Sequence, residues 1–88
     1  MIEMEQLESV LKMLTEITED RRIPRNIREA AEETKKNLEE NEREWDVKLS
    51  TAISTLDEIT NDPNMPSYTR TQIWNIVSML EIIKNGLA

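Results

Sequence analysis

The sequence predicts an all-α protein: an up-and-down four-helix bundle built from two tandem helical hairpins. Composition is the first reason, because 88 residues with no Phe, one Gly and three Pro, 38 % hydrophobic and 33 % charged, favour helices over a turn-rich β protein. Periodicity is the second, since apolar residues recur three and four apart through most of the chain. The third is an internal repeat. A shift of 42 positions aligns residues 11–38 with 53–80 without a gap, and eight of the 28 pairs are identical where unrelated sequences give about two. The identities are Leu14/Leu56, Glu16/Glu58, Ile17/Ile59, Thr18/Thr60, Asp20/Asp62, Pro24/Pro66, Arg28/Arg70 and Leu38/Leu80, with Leu11/Ile53 and Ile23/Met65 conservative in the same frame.

The first helix is expected over residues 2–19, where Leu7, Val10, Leu11, Leu14 and Ile17 share one face of a 3.6-residue helix. Pro24 has no N–H and biases Ile23 away from helical angles, so that helix must stop, with the turn at 19–24. Pro also suits the first turn of the next helix. There Ile27, Ala30, Ala31, Thr34 and Leu38 form a thin apolar stripe ending near Asn41, and Asn26 with Glu29 has the spacing of a capping box. The third helix carries Trp45, Leu49, Ala52, Ile53, Leu56 and Ile59, then breaks at Asp62-Pro63-Asn64, after which Pro66 restarts the chain as Pro24 does. The fourth is far more apolar than its counterpart, with Ile73, Trp74, Ile76, Val77, Met79, Leu80, Ile82 and Ile83, and so is expected to be embedded where the second is exposed.

Four single stripes joined by short links hide only against one another, which gives one bundle with both Pro-bearing turns at the same end. A rival arrangement comes from residues 38–44, which lack Pro and Gly. Ala31, Leu38, Trp45, Ala52 and Ile59 recur every seven residues through that link, so helices 2 and 3 could form one rod pairing between molecules. The run of acids offers no buried contact in the middle of such a rod, and the bundle is the preferred reading.

Several functions are excluded by what the chain lacks. No Cys and no His removes disulfides, thiolate chemistry, imidazole bases and the common zinc sites. The carboxylates Glu16, Glu29, Glu32, Glu33, Glu39, Glu40, Glu42, Glu44, Asp57 and Glu58 read as a solvated acidic face, with only an all-oxygen Mg²⁺ or Ca²⁺ site left open. A net charge of -7 argues against a general nucleic-acid coat and a basic membrane-surface helix. The start MIEMEQLESV is acidic where a secretory signal needs basic residues, and no apolar run reaches membrane-spanning length, so a cytoplasmic location is expected. Neither an enzyme, a cofactor nor a small-molecule substrate is expected.

Three sets of residues remain as candidates. Arg21, Arg22, Arg25, Arg28 and Arg70 gather at the Pro-turn end near two helix N-termini, where they would bind a phosphate, an RNA backbone or an acidic segment. The competing reading neutralises them with Glu19, Asp20, Glu29 and Asp62. Asp20 with Arg28, and Asp62 with Arg70, occupy matching repeat positions and are expected to act as structural clamps that satisfy the backbone groups of each turn. On helix 4, 100° per residue puts Ile73, Ile76, Val77, Leu80 and Ile83 on the core arc, while Trp74, Ser78, Glu81 and Ile82 fall opposite. Tyr68, Trp74, Ser78 and Ile82 are therefore the candidate interface, for a homodimer or another protein, and Trp74 packed inside the molecule is the competing reading. Trp45 is expected to lie over the C-terminal half of helix 4.

The pattern IPRNIREAAEE, followed by LDEITNDPNMPSYTRTQIWNIVSMLE, resembles a family of small uncharacterised archaeal proteins. The most specific part is DEITNDPNMP with the downstream Arg70 and Trp74. The resemblance spans nearly the whole chain and implies a cytoplasmic four-helix bundle with no assigned active site or cofactor. A fainter similarity to HEAT-type units, in Leu14, Ile17, Asp20, Pro24, Arg28 and Ala31, is a packing analogy, since two units are fewer than a solenoid needs. The function expected is thus a non-enzymatic helical interaction or scaffold module, with anion or RNA binding through the arginines as the alternative.

Overall fold

A computed structural model describes residues 4–87 and contains four helices: α1 (Met4–Glu19), α2 (Arg25–Glu39), α3 (Trp45–Ile59) and α4 (Ser67–Asn85). Residues 2 and 3, expected to open the first helix, lie outside the described residues. Each helix packs on its neighbours in chain order and α1 closes the ring against α4, while among the described residues the backbones of diagonal helices do not approach one another closely. This is the up-and-down bundle, all α, about an axis 36 Å long.

The buried faces follow the stripes. Leu7, Val10, Leu14 and Ile17 of α1 meet Ile27, Ala31, Thr34 and Leu38 of α2, Leu49, Ala52 and Leu56 of α3, and Ile73, Ile76, Val77, Leu80 and Ile83 of α4. Leu11, Trp45, Ile53 and Ile59 pack half-buried at the margins of that core. Ile23 and Met65 also enter it from the two Pro-bearing turns, 1 % and 5 % exposed, and plug the end of the bundle. Each large buried side chain is worth about 1.5–3 kcal/mol relative to exposure, so this face, more than any polar contact, holds the helices together.

Three expectations require correction. The capping box does not form: Pro24 is the N-cap without a side-chain cap bond, its carbonyl accepting from Ile27 and Arg28, while Asn26 and Glu29 bond elsewhere. Proline at the cap uses its extended ψ of 148° to aim that carbonyl into the helix, which leaves no side chain for the box to use. Next, α2 ends at Glu39, two residues early. Finally, α4 is not embedded, because a ring of four gives every helix two neighbours and one open side; its surplus apolar residues Trp74 and Ile82 are each 56 % exposed.

The rod alternative is also excluded. Glu40 takes extended angles, φ -68° and ψ 144°, and Glu44 does so again before α3. The break needs no Pro or Gly, because a reversal lets the stripes of α2 and α3 cover one another in a single core, which a continuous helix could not do. Lys48 then fixes the reversal from α3. Its ammonium donates to the Glu40 carbonyl at the end of α2 and lies 3.6 Å from the centre of the Trp45 ring, and the residue is 2 % exposed.

Truncation of a core residue tests this packing. Leu56→Ala, at a wholly buried site, is expected to lower unfolding stability by about 2–5 kcal/mol in urea titration, whereas Ile82→Ala on the open side of α4 changes it by less than about 0.5 kcal/mol.

Candidate functional site

Two regions collect the candidate residues: the Pro-turn end and the open face of α4. At the Pro-turn end, each turn is an Asx turn closed by its own aspartate. Asp20 Oδ1 accepts from the Arg22 backbone N–H at 3.0 Å, and Asp62 Oδ1 accepts from the Asn64 N–H at 2.8 Å. The backbone bonds recur at the same offset of 42, with Ile23 N–H on the Asp20 carbonyl and Met65 N–H on the Asp62 carbonyl.

Neither Asp20/Arg28 nor Asp62/Arg70 forms a carboxylate–guanidinium pair. Arg28 Nε donates to the Ile23 carbonyl at 2.9 Å, while Arg70 donates from Nε to the Thr60 carbonyl at 3.3 Å and from Nη2 to the Asp62 carbonyl at 3.1 Å. Aspartate and arginine therefore serve the same turn through different backbone groups: the carboxylate takes an N–H, the guanidinium gives to a carbonyl.

The second carboxylate oxygen of each aspartate faces the other hairpin. Tyr68, opening α4, donates its hydroxyl to Asp20 Oδ2 at 3.2 Å, and Asn26, opening α2, donates its amide to Asp62 Oδ2 at 2.6 Å. Tyr68 and Asn26 are themselves 42 positions apart, so the bundle end is tied by two reciprocal links across its helix pairs. Arg22 completes the first of these, bonding Asp20 through Nε at 3.0 Å and Nη2 at 2.9 Å while its guanidinium carbon stands 5.2 Å from the centre of the Tyr68 ring. These bonds, led by that from the Arg22 side chain and then its N–H, hold the Asp20 carboxyl at about 2 instead of its ordinary 3.8. Asp62 is lowered as well, first by the Asn64 N–H and then by Asn26.

The arginines are thus mostly engaged within the chain. Arg22, Arg28 and Arg70 are spent on the turns, and Arg25 pairs with Glu29 at 2.9 Å. Among the described residues, Arg21 is the one of the five for which no such bond forms. No three Asp or Glu side chains among the described residues converge to hold a metal ion, and no helix there is long and apolar enough to cross a membrane.

The open face of α4 has a different character. Of its ten exposed residues, Ser67, Tyr68, Thr71, Trp74, Asn75, Ser78, Ile82 and Asn85 are uncharged, and only Glu81 and Lys84 carry charge. The exposed residues of α2, by contrast, are Arg25, Asn26, Glu29, Glu33, Lys36 and Glu39, of which five are charged. Tyr68 does not join Trp74. Its hydroxyl and ring are directed to Asp20 and Arg22 at the end of α1, although the residue is 42 % exposed.

Sequence reasoning missed Lys48, Asn26 and the inter-hairpin role of Tyr68. For Lys48 a signal existed: at 100° per residue it falls within 20° of Ile59, on the rim of the core arc. Asn26 and Tyr68 occupy equivalent positions in the 42-residue frame, but their differing chemistry hides the correspondence. Trp45 is half-buried against the core and borders the same concavity as Leu87, beyond the end of α4.

The fold and these sites define a small antiparallel helical bundle whose turns are locked by side chains and whose last helix has a largely uncharged outer face carrying Trp74 and Ile82. The chain belongs to an uncharacterised protein family, UPF0147, whose profile matches residues 2–83. It is 55 % identical over 78 residues to the UPF0147 protein of Methanocaldococcus jannaschii, covering 89 % of this chain and 84 % of the relative. With the UPF0147 protein of Sulfurisphaera tokodaii it shares 44 % over 79 residues, 90 % of this chain and 89 % of that one. A crystal structure of the protein of unknown function MMP1188 superposes with a TM-score of 0.86 at 55 % identity, over 91 % of both chains. Another, of a UPF0147 protein from Thermoplasma acidophilum, gives 0.88 at 34 % identity over 91 % of this chain and 94 % of that one. The resemblance to an archaeal family without assigned function holds.

The depressed aspartates set a pH dependence. A carboxyl lowered on folding stabilises the native state above its unfolded value of 3.8 and loses that contribution as pH falls toward about 2. Asp20→Asn, which keeps an acceptor for the Arg22 N–H but no charge, should therefore show a smaller drop in Tm than wild type between about pH 5 and pH 2, followed by circular dichroism.

Proposed function

We propose that this chain is a non-enzymatic interaction module: a stable helical bundle that presents the outer face of α4 to a protein partner. A single observation carries the reading. Trp74 and Ile82, each 56 % exposed, stand on a face where Glu81 is the one charge close by, in a chain that is 33 % charged. Exposed large apolar residues are ordinary when scattered, but aromatic enrichment together with loss of charge is the compositional mark of an interface centre. A Trp is also the residue type most often found to dominate binding.

The non-catalytic half of the reading is supported by the residue inventory. Without His or Cys, a Ser or Thr nucleophile would have to be activated by a carboxylate or a lysine, and the one buried lysine, Lys48, is committed to the Glu40 carbonyl and the Trp45 ring. The alternative of anion or RNA capture at the Pro-turn end draws less support, because four of its five arginines already serve turn carbonyls or carboxylates.

A photo-crosslinker tests this directly. Benzoylphenylalanine in place of Trp74 should give a discrete protein adduct on irradiation in living cells, while the same group in place of Lys36, on the charged face of α2, should give none. No adduct from position 74, or equal labelling from both positions, would refute the reading.

A further inference from the structure

We infer that the protein seated on this face is a second copy of the same chain, α4 against α4 in antiparallel sense, about a twofold axis through Ser78. The inference rests on the reading of the α4 face as a contact surface and names its occupant. Trp74, Ser78 and Ile82 lie four residues apart, so one ridge of the helix reads large, small, large, symmetric about its centre. Antiparallel pairing about Ser78 sets Trp74 of each copy over Ile82 of the other, twice, with the two small serines where the helices approach most closely. A twofold interface demands a patch complementary to itself, and this ridge meets that demand without a second surface.

Charge selects the orientation. Antiparallel pairing places Glu81 opposite Asn75, Lys84 opposite Gln72, and Thr71 opposite Asn85, so no like charges meet. Parallel pairing would set Glu81 on Glu81 and Trp74 on Trp74, opposing like charges and leaving Ile82 against itself. A strongly charged partner would find almost nothing on this face to read. The open ridge belongs to one helix of 19 residues, about 28 Å long and roughly 10 Å wide, so it offers about 300 Å², well short of the roughly 800 Å² per partner of a standard interface. The dimer is therefore weak and concentration-dependent. Because each copy carries a net charge of -7, salt should strengthen it by screening their repulsion.

The absence of cysteine makes the geometry measurable, since any introduced thiol is unique. Under mild oxidation at about 0.5 mM chain, Ser78→Cys should crosslink to itself rapidly. A mixture of Asn75→Cys and Glu81→Cys chains should yield the mixed disulfide several-fold over either homodimer, and Lys36→Cys should stay monomeric. By light scattering, the wild-type mass should climb from 10.3 kDa toward twice that value with concentration, more steeply at about 0.5 M than at 0.05 M NaCl. Trp74→Ala should remain at 10.3 kDa throughout. A wild type that is monomeric at about 1 mM in high salt overturns the inference, as does Asn75→Cys pairing with itself in preference to Glu81→Cys. If that monomer nonetheless gives a crosslinked adduct to a different protein from position 74, the second copy is refuted and the contact surface stands; if position 74 captures nothing, both fall.

Discussion

Every helix of this chain has a single apolar stripe, and the molecule is what four such stripes do when each must be covered by the others. A ring of four gives each helix two neighbours and one open side, so all four contribute to one core and no helix is enclosed. Leu14, Leu56, Ile76 and Leu80 are all fully buried under that constraint, although they come from three different helices. The polar contacts at the bundle end are surface bonds in high dielectric and add much less than this burial. Their contribution is register. Asn26 to Asp62 and Tyr68 to Asp20 fix which residues of one hairpin face which of the other, a choice the apolar stripes leave loose.

That division explains what was legible in the sequence. The stripe positions, the stops before Pro24 and Pro66, and the separation of core and open arcs on α4 follow from periodicity and from proline's missing N–H, both of which are local properties. The turn clamps were legible as residues but not as bonds: aspartate and arginine each serve the turn, yet the guanidinium selects carbonyls that no spacing rule distinguishes from a nearby carboxylate. Links spanning 36 and 48 residues were beyond any local rule, because they exist only once the two hairpins are side by side. The same holds for Lys48, whose burial depends on the Glu40 carbonyl arriving from the preceding helix.

The end opposite the Pro turns solves the reversal by other means. Without Pro or Gly, the link after Glu39 turns at the extended Glu40 and is held by a buried cation, Lys48, sheltered by Trp45. Arg43 adds a contact to Glu40 at 3.5 Å, one cation among the three acids of that link. The two ends thus differ in kind: one is stiffened by proline and closed by aspartate, the other is an anionic loop pinned from within.

Stability and surface chemistry are separated on α4 itself. Ile73, Ile76, Val77, Leu80 and Ile83 face inward and carry the core packing, while Trp74, Ser78 and Ile82 lie outside that core. A helix whose outer face served solubility alone would resemble α2, with charges at nearly every exposed position. α4 keeps more than half of a Trp and an Ile in water instead, and exposed apolar surface favours association in a manner that charge would suppress. Because both faces belong to one helix, the outer residues can change without disturbing the inner ones, so association through this face can be strengthened or abolished while the bundle beneath it stays the same.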